Sequence, residues 1–174
     1  TETSYVVEGP GQEVQPGQGE RGYTRGGVVP SPGFERRRTP YPVVRYPWAE
    51  VRSALLALAS DRPQDEPVQV TYVNPETGED VQNNLGFHAL MLRPGQALRL
   101  PARSPACVFH VIEGGAELEV VQRRFGLDEA DTCCAPGYTP VLLRSRHPDA
   151  PCFLCLADES PLHRKLGVYE VRDR

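Results

Sequence analysis

From Val68 onward the chain reads as short apolar runs cut by turn residues, and this pattern constrains the fold more than any other feature. VQVTYV is followed by the turn Pro75-Glu76-Thr77-Gly78, GFHALML by Arg93-Pro94-Gly95-Gln96, and ACVFHVI by Glu113-Gly114-Gly115. ALRLPA is extended, AELEVVQRRF reads as one long strand, and DTCCA as another. Pro136-Gly137-Tyr138 turns into PVLLRS, and His147-Pro148-Asp149 into PCFLCLA. Strands separated by turn signals every eight to twelve residues or so predict an all-β barrel or sandwich. Closing the sheet into a barrel also removes exposed strand edges.

The flanks differ from this pattern. Residues 1–46 are dominated by Gly, Pro, Gln and Arg, as in GPGQEVQPGQGERGYTRGG. Such a composition buries too little apolar surface to fold alone, and predicts an irregular arm or interdomain linker. Residues 47–174 are assigned to the barrel domain, opening with a helix. Pro47 suits the first helical turn, where its missing N–H has no partner to lose. Trp48, Val51, Leu55 and Leu58 then fall on one stripe, and the helix should end by Asp61, before Pro63. The stripe covers the barrel or docks on another subunit. Near the other end, Ser160 is expected to cap a short helix, with Pro161 in its first turn and Gly167 stopping it. VYEV closes the chain as a strand or extended tail.

Composition narrows the function. The net charge is −4 and the pI near 5.6, which argues against non-specific nucleic-acid binding through a basic face. Arg36-Arg37-Arg38 is the only basic run and reads as a solvated linker. No stretch approaches the roughly 18 apolar residues of a membrane-spanning helix. No basic segment followed by an apolar one opens the chain, which argues against a signal peptide and for a cytoplasmic location. The first residue is Thr1, not Met, so the chain is a piece of something longer, a processed product or an expressed segment. Five cysteines, an odd number, are best read as reduced thiols.

Pro94-Gly95 followed by Val111-Ile112-Glu113-Gly114, within residues 85–145, resembles the cupin, a small jelly-roll barrel of the double-stranded β-helix type. The resemblance implies a place for a metal. Metal-binding cupins carry two histidines one residue apart after the first glycine, then a glutamate, and a third histidine after a later Pro-Gly pair. Three imidazoles and one carboxylate then hold a divalent ion. Carried over by counting, the two histidine positions hold Pro101 and Arg103, the glutamate position Cys107, and the last histidine position Pro140. Neither proline nor arginine offers a ligand atom to a hard metal, so no metal is expected at that place.

A more specific resemblance covers residues 44–174. Arg45-Tyr46-Pro47-Trp48, Tyr72-Val73-Asn74-Pro75-Glu76-Thr77-Gly78, Val111-Ile112-Glu113-Gly114, Ala135-Pro136-Gly137-Tyr138-Thr139-Pro140 and the tail SPLHRKLGVYEV are similar to the C-terminal cupin of the gentisate 1,2-dioxygenase family. Salicylate and 1-hydroxy-2-naphthoate dioxygenases belong to that family. Residues 1–46, with Arg21-Gly22-Tyr23-Thr24-Arg25, resemble the linker between its two cupins. The resemblance implies a bicupin enzyme that opens the ring of a hydroxylated aromatic acid with Fe(II) and O₂. Its iron would sit in an N-terminal cupin. This half would be a metal-free, non-catalytic scaffold and oligomer interface.

Several residues keep alternative readings. His88 and His110 lie in apolar strands; together they form an unusual metal pair, or they are ordinary strand histidines. Arg103 binds a carboxylate in the barrel mouth, or it is a loop arginine facing solvent. Tyr138 lines the same mouth, or packs in its turn. Cys152-x-x-Cys155 with Cys133 and Cys134 is a zinc site, or four small buried hydrophobes. Residues three apart on a strand face opposite ways, which counts against the zinc. Glu117 and Glu119 share a solvent face, and no catalytic role is assigned to them or to Glu113. Two rivals to the dioxygenase-half reading follow. One is a stand-alone cupin holding a small carboxylate in its barrel; the other is an enzyme with a displaced site at His88, His110 and Arg103.

Overall fold

A computed structural model describes residues 45–75 and 77–172. The arm predicted for residues 1–46 therefore lies outside the described residues, except for Arg45 and Tyr46. The described residues from Tyr46 onward form one compact unit. Tyr46 packs edge-on against Tyr72 at 5.0 Å between ring centroids, and its hydroxyl donates to the Val73 carbonyl at 2.5 Å.

The unit is an all-β barrel with one helix before it and one near its end. Helix α1 spans Trp48–Asp61. Eleven strands follow: β1 (Val68–Thr71), β2 (Gly86–Leu92), β3 (Ala97–Leu100), β4 (Ala102–Arg103), β5 (Cys107–Glu113), β6 (Ala116–Val120), β7 (Arg123–Leu127), β8 (Thr132–Ala135), β9 (Val141–Ser145), β10 (Cys152–Asp158) and β11 (Val171–Arg172). Helix α2, Ser160–Leu166, precedes β11. One sheet runs β1-β2-β10-β5-β8, a second runs β3-β9-β6-β7, and β11 pairs with β4. All pairings are antiparallel.

Alternation along the strands builds the interior. On β6, Ala116, Leu118 and Val120 are buried while Glu117 and Glu119 face out. Glu117 pairs with Arg144 and Glu119 with Arg124 on that outer face. Leu90, Leu92, Phe109, Val111, Leu118, Leu143, Leu154 and Leu156 meet in a single core and fill the space between the two sheets. Each fully buried Leu or Phe contributes roughly 1.5–3 kcal/mol. The central strand β10 is buried on both faces, because Phe153 points outward under α1. The predicted helical stripe packs there: Leu55 is wholly buried, with Trp48, Val51 and Leu58 around it, against Val68, Ala89, Met91 and Phe153.

Two polar devices fix α1. Glu113 accepts hydrogen bonds from Trp48 Nε1 at 2.6 Å and Arg52 Nε at 2.9 Å. The hydrogen bond from Trp48, then that from Arg52, lowers its pKa. At the other end of α1, the buried Arg93 donates to the carbonyls of Ala59, Arg62, Gln64 and Glu66 at 3.0–3.3 Å. A cation at a helix C-terminus satisfies orphan carbonyls and opposes the helix dipole.

Three local expectations need correction. AELEVVQRRF is not one strand: it folds back at Val121-Gln122 into the hairpin β6–β7, with Val120 opposite Arg123. Both turn residues have positive φ, 49° and 60°, as a two-residue hairpin of the I′ kind requires. Val and Gln carry no signal for such a turn. Replacing Val121-Gln122 by Asn-Gly should therefore stabilise the protein by about 1–2 kcal/mol, read as a higher urea midpoint with an unchanged m-value. Pro47 precedes α1 as its N-cap instead of opening its first turn. Helix α2 is capped from outside: Glu159 is its N-cap residue, Ser160 is already helical, and Asp158 Oδ1 accepts the Ser160 N–H at 2.9 Å. Gly167 does end α2, in the left-handed region at φ 70°.

Candidate functional site

Asp158, at the end of β10, is the centre of a buried polar cluster. Its side chain is fully buried, and its Cα pairs with Gly86 on β2 and Cys107 on β5. The inward parity of Leu90 and Leu92 carries His88 to the same interior end. His88 Nδ1 is hydrogen-bonded to Thr71 Oγ1 at 2.9 Å, and its Nε2 lies 3.7 Å from Asp158 Oδ2. Arg103 Nη1 lies 3.3 Å from the same oxygen. His88 Nε2 and Asp158 Oδ2 are buried without a hydrogen-bond partner among the described residues.

Arg103 is thus not a solvent-facing loop arginine. Its side chain is 23% exposed, and the carboxylate it meets belongs to this chain. The closing strand β11 pairs with β4 and holds it there. Ser104, next to it, is bound to His163 Nδ1 at 2.9 Å and accepts the Glu170 N–H at 3.1 Å.

His110 does not join His88. Phe109 and Val111 face the core, so His110 points out of the barrel and pairs with Thr132 Oγ1 at 3.0 Å. The displaced His88–His110–Arg103 site is not assembled. The cysteines also divide: Cys107, Cys133 and Cys152 face or border the core, whereas Cys134 is exposed and Cys155 lies on the outer face. Burial raises the Cys107 thiol pKa to about 12 and the Cys152 thiol to about 11, so neither is a ready thiolate. Among the described residues no group of three or more His, Cys, Asp or Glu could hold a metal ion.

The four positions that counting assigns to metal ligands separate in space. Arg103 and Cys107 border the Asp158 cluster. Pro101 and Pro140 line an outer groove with Arg99, Leu100, Tyr138 and Arg172, of about 440 Å³. Arg172 stacks over the Tyr138 ring at 4.3 Å. Tyr138 therefore faces this groove and not the cluster. The barrel interior is packed with side chains, and a ligand carboxylate there would have to displace them.

Burial depresses the His88 pKa, outweighing the upward pull of Asp158, and Arg103 adds to the depression. The imidazole is neutral in the native state. As pH falls below the ordinary histidine value near 6.5, the unfolded chain takes up a proton that the folded chain resists, so stability declines until the lowered native pKa is reached. His88→Gln should flatten the fall in melting temperature between about pH 7 and pH 5 relative to the parent.

No model of a known protein family matches the chain. A curated gentisate 1,2-dioxygenase from Ralstonia sp is 61% identical over 171 residues, which is 98% of this chain and 48% of that protein. The chain is homologous to gentisate 1,2-dioxygenase. A 5-aminosalicylate 1,2-dioxygenase from Comamonas sp is 26% identical over 140 residues, covering 79% of this chain and 37% of that protein. The chain therefore spans half or less of the curated relatives it matches. Among solved structures, a salicylate 1,2-dioxygenase from Pseudaminobacter salicylatoxidans superposes with a TM-score of 0.73 at 23% identity, over 94% of this chain and 49% of that one. Its G106A mutant gives a TM-score of 0.74 at 22% identity, over 95% of this chain and 49% of the other. These superpositions establish the cupin fold expected from the Pro94-Gly95 and Val111–Gly114 motifs.

The family resemblance implies Fe(II) for the whole enzyme, and among the described residues this barrel offers few donors for that ion. They do not fit it. Asp158 and His88 supply one oxygen and one nitrogen, but a guanidinium stands 3.3 Å from that oxygen. A metal bound there would face a fixed positive charge in a medium that screens it poorly.

Proposed function

We propose that this chain is the C-terminal cupin half of a gentisate-1,2-dioxygenase-like ring-cleaving enzyme, metal-free and non-catalytic itself. Its work is to stabilise the oligomer and to support the half that carries the chemistry. One observation carries this reading: 61% identity runs along nearly the whole chain yet spans only 48% of the relative. Fe(II) belongs to the N-terminal cupin in this reading, where it would activate O₂ against a hydroxylated aromatic acid. The filled interior and the Arg103–Asp158 pair support this reading. The assembly is a cytoplasmic homo-oligomer.

The outer face of the larger sheet supports the interface role. Phe87, Ala157, Val108 and Cys134 form one cross-strand row over β2, β10, β5 and β8, outside the patch that packs under α1. Oxygen uptake with gentisate and Fe(II) tests the proposal. The 174-residue chain alone should show no uptake, and a polypeptide joining it to an N-terminal iron-binding cupin should show turnover. Uptake by the isolated chain would refute the reading.

A further inference from the structure

A fully buried carboxylate needs a positive charge beside it, because removal from water penalises the ionised form heavily. Among the described residues Asp158 has one such neighbour, Arg103, at 3.3 Å. Its other close polar contacts are the Ser160 N–H on Oδ1 and the His88 imidazole at 3.7 Å from Oδ2, which is neutral. Cys107, buried, pairs directly with Asp158 across the sheet and closes the other side of the carboxylate. We infer that Arg103 is the resident cation of this barrel: its guanidinium balances the buried Asp158 carboxylate and keeps the adjacent donors, His88 Nε2 and Asp158 Oδ2, closed to metal.

Neither atom has a hydrogen-bond partner among the described residues, and Asp158 Oδ2 is held by the Arg103 ion pair, which makes the two a latent donor pair once that cation is removed. Imidazole nitrogen and carboxylate oxygen are both ligands for Fe(II), Co(II) or Zn(II), and a second imidazole would complete a two-histidine, one-carboxylate set. Arg103→Lys keeps the charge but loses the planar fork that spreads it.

The test is a titration of the whole chain with Co(II), followed by visible absorption and metal analysis after desalting. Wild type should retain no cobalt. Arg103→His should retain it stoichiometrically and develop d–d bands, and Arg103→His/Asp158→Asn should lose both. A folded Arg103→His protein that binds no more cobalt than wild type would overturn the inference. Thermal melting covers the case in which that variant does not fold. Arg103→Met should lower the melting temperature sharply, and Arg103→Met/Asp158→Asn should recover most of the loss. A double variant as unstable as the two single changes summed would also overturn it. The inference rests on the metal-free reading above, yet the two fail differently. Stoichiometric cobalt in wild type defeats both, whereas failure of the Arg103 variants alone leaves that reading standing.

Discussion

Gly137→Ala is expected to destabilise the protein by about 3 kcal/mol or more, the upper range for an overpacked site. A Cβ at position 137 would lie 2.3 Å from the backbone oxygen of Ser104. The Cβ is fixed rigidly by its own backbone and the atom it meets is a backbone oxygen, so no flexible side chain can swing aside. Relief requires moving the Pro136–Tyr138 turn or the Ser104–Ala106 segment. The second is tied down by the Ser104–His163 bond and by the Ala106 N–H to Glu159. The Tyr138 N–H also donates to the Arg103 carbonyl at 2.6 Å, so displacement reaches the Asp158 cluster. Gly95→Ala is the control. Gly95 sits at φ 64° with open space where a Cβ would go, and only the left-handed backbone penalty of about 1 kcal/mol applies. Urea unfolding of the two variants should separate them clearly. Equal losses would mean the close approach at Gly137 is wrong.

Phe153→Ala should cost about 3–5 kcal/mol, the range for truncating a buried aromatic. Phe153 is 1% exposed and joins the barrel to α1. Trp48 packs edge-on against it at 5.6 Å, and the Arg52 guanidinium lies 4.9 Å from its ring centroid. Truncation leaves a cavity under the helix that barrel strands cannot fill. Trp48 is the only tryptophan, so its fluorescence reports the site alone: a red shift and a faster quench by acrylamide are expected. Phe109→Ala offers the comparison, because Phe109 faces the barrel interior. It should destabilise to a similar degree while leaving Trp48 emission largely unchanged. If Phe153→Ala leaves the emission unmoved, α1 is held by the Glu113 latch and not by packing.

These effects show which parts of the molecule could be read from the chain. The strands were legible where apolar residues alternate cleanly, as in Ala116–Val120, or run continuously between turns, as in Gly86–Leu92. Both patterns reflect which faces are buried. Gly78 and Gly95, read as turn residues, and Gly167, read as a helix stop, all adopt the left-handed backbone. The β6–β7 hairpin was hidden because Val121 and Gln122 adopt positive φ against their preference, held there by the pairing of the flanking strands. Parity separates His88 from His110: each follows its own strand's apolar neighbours, inward beside Leu90 and outward between Phe109 and Val111. Arg93 could not have been assigned its task, since its carbonyl acceptors lie about thirty residues away in sequence and meet it only after folding. Asp158 was missed for a similar reason. A single acid at the end of PCFLCLAD reads as a strand terminus until β4 brings Arg103 alongside.

If Arg103 is the resident cation beside Asp158, this barrel should not take up iron. Iron analysis of the purified chain, after anaerobic incubation with excess Fe(II) and desalting, tests it most directly. The account predicts only trace, substoichiometric iron. One iron retained per chain would contradict it, and would mean that the donors around Asp158 form a metal centre after all.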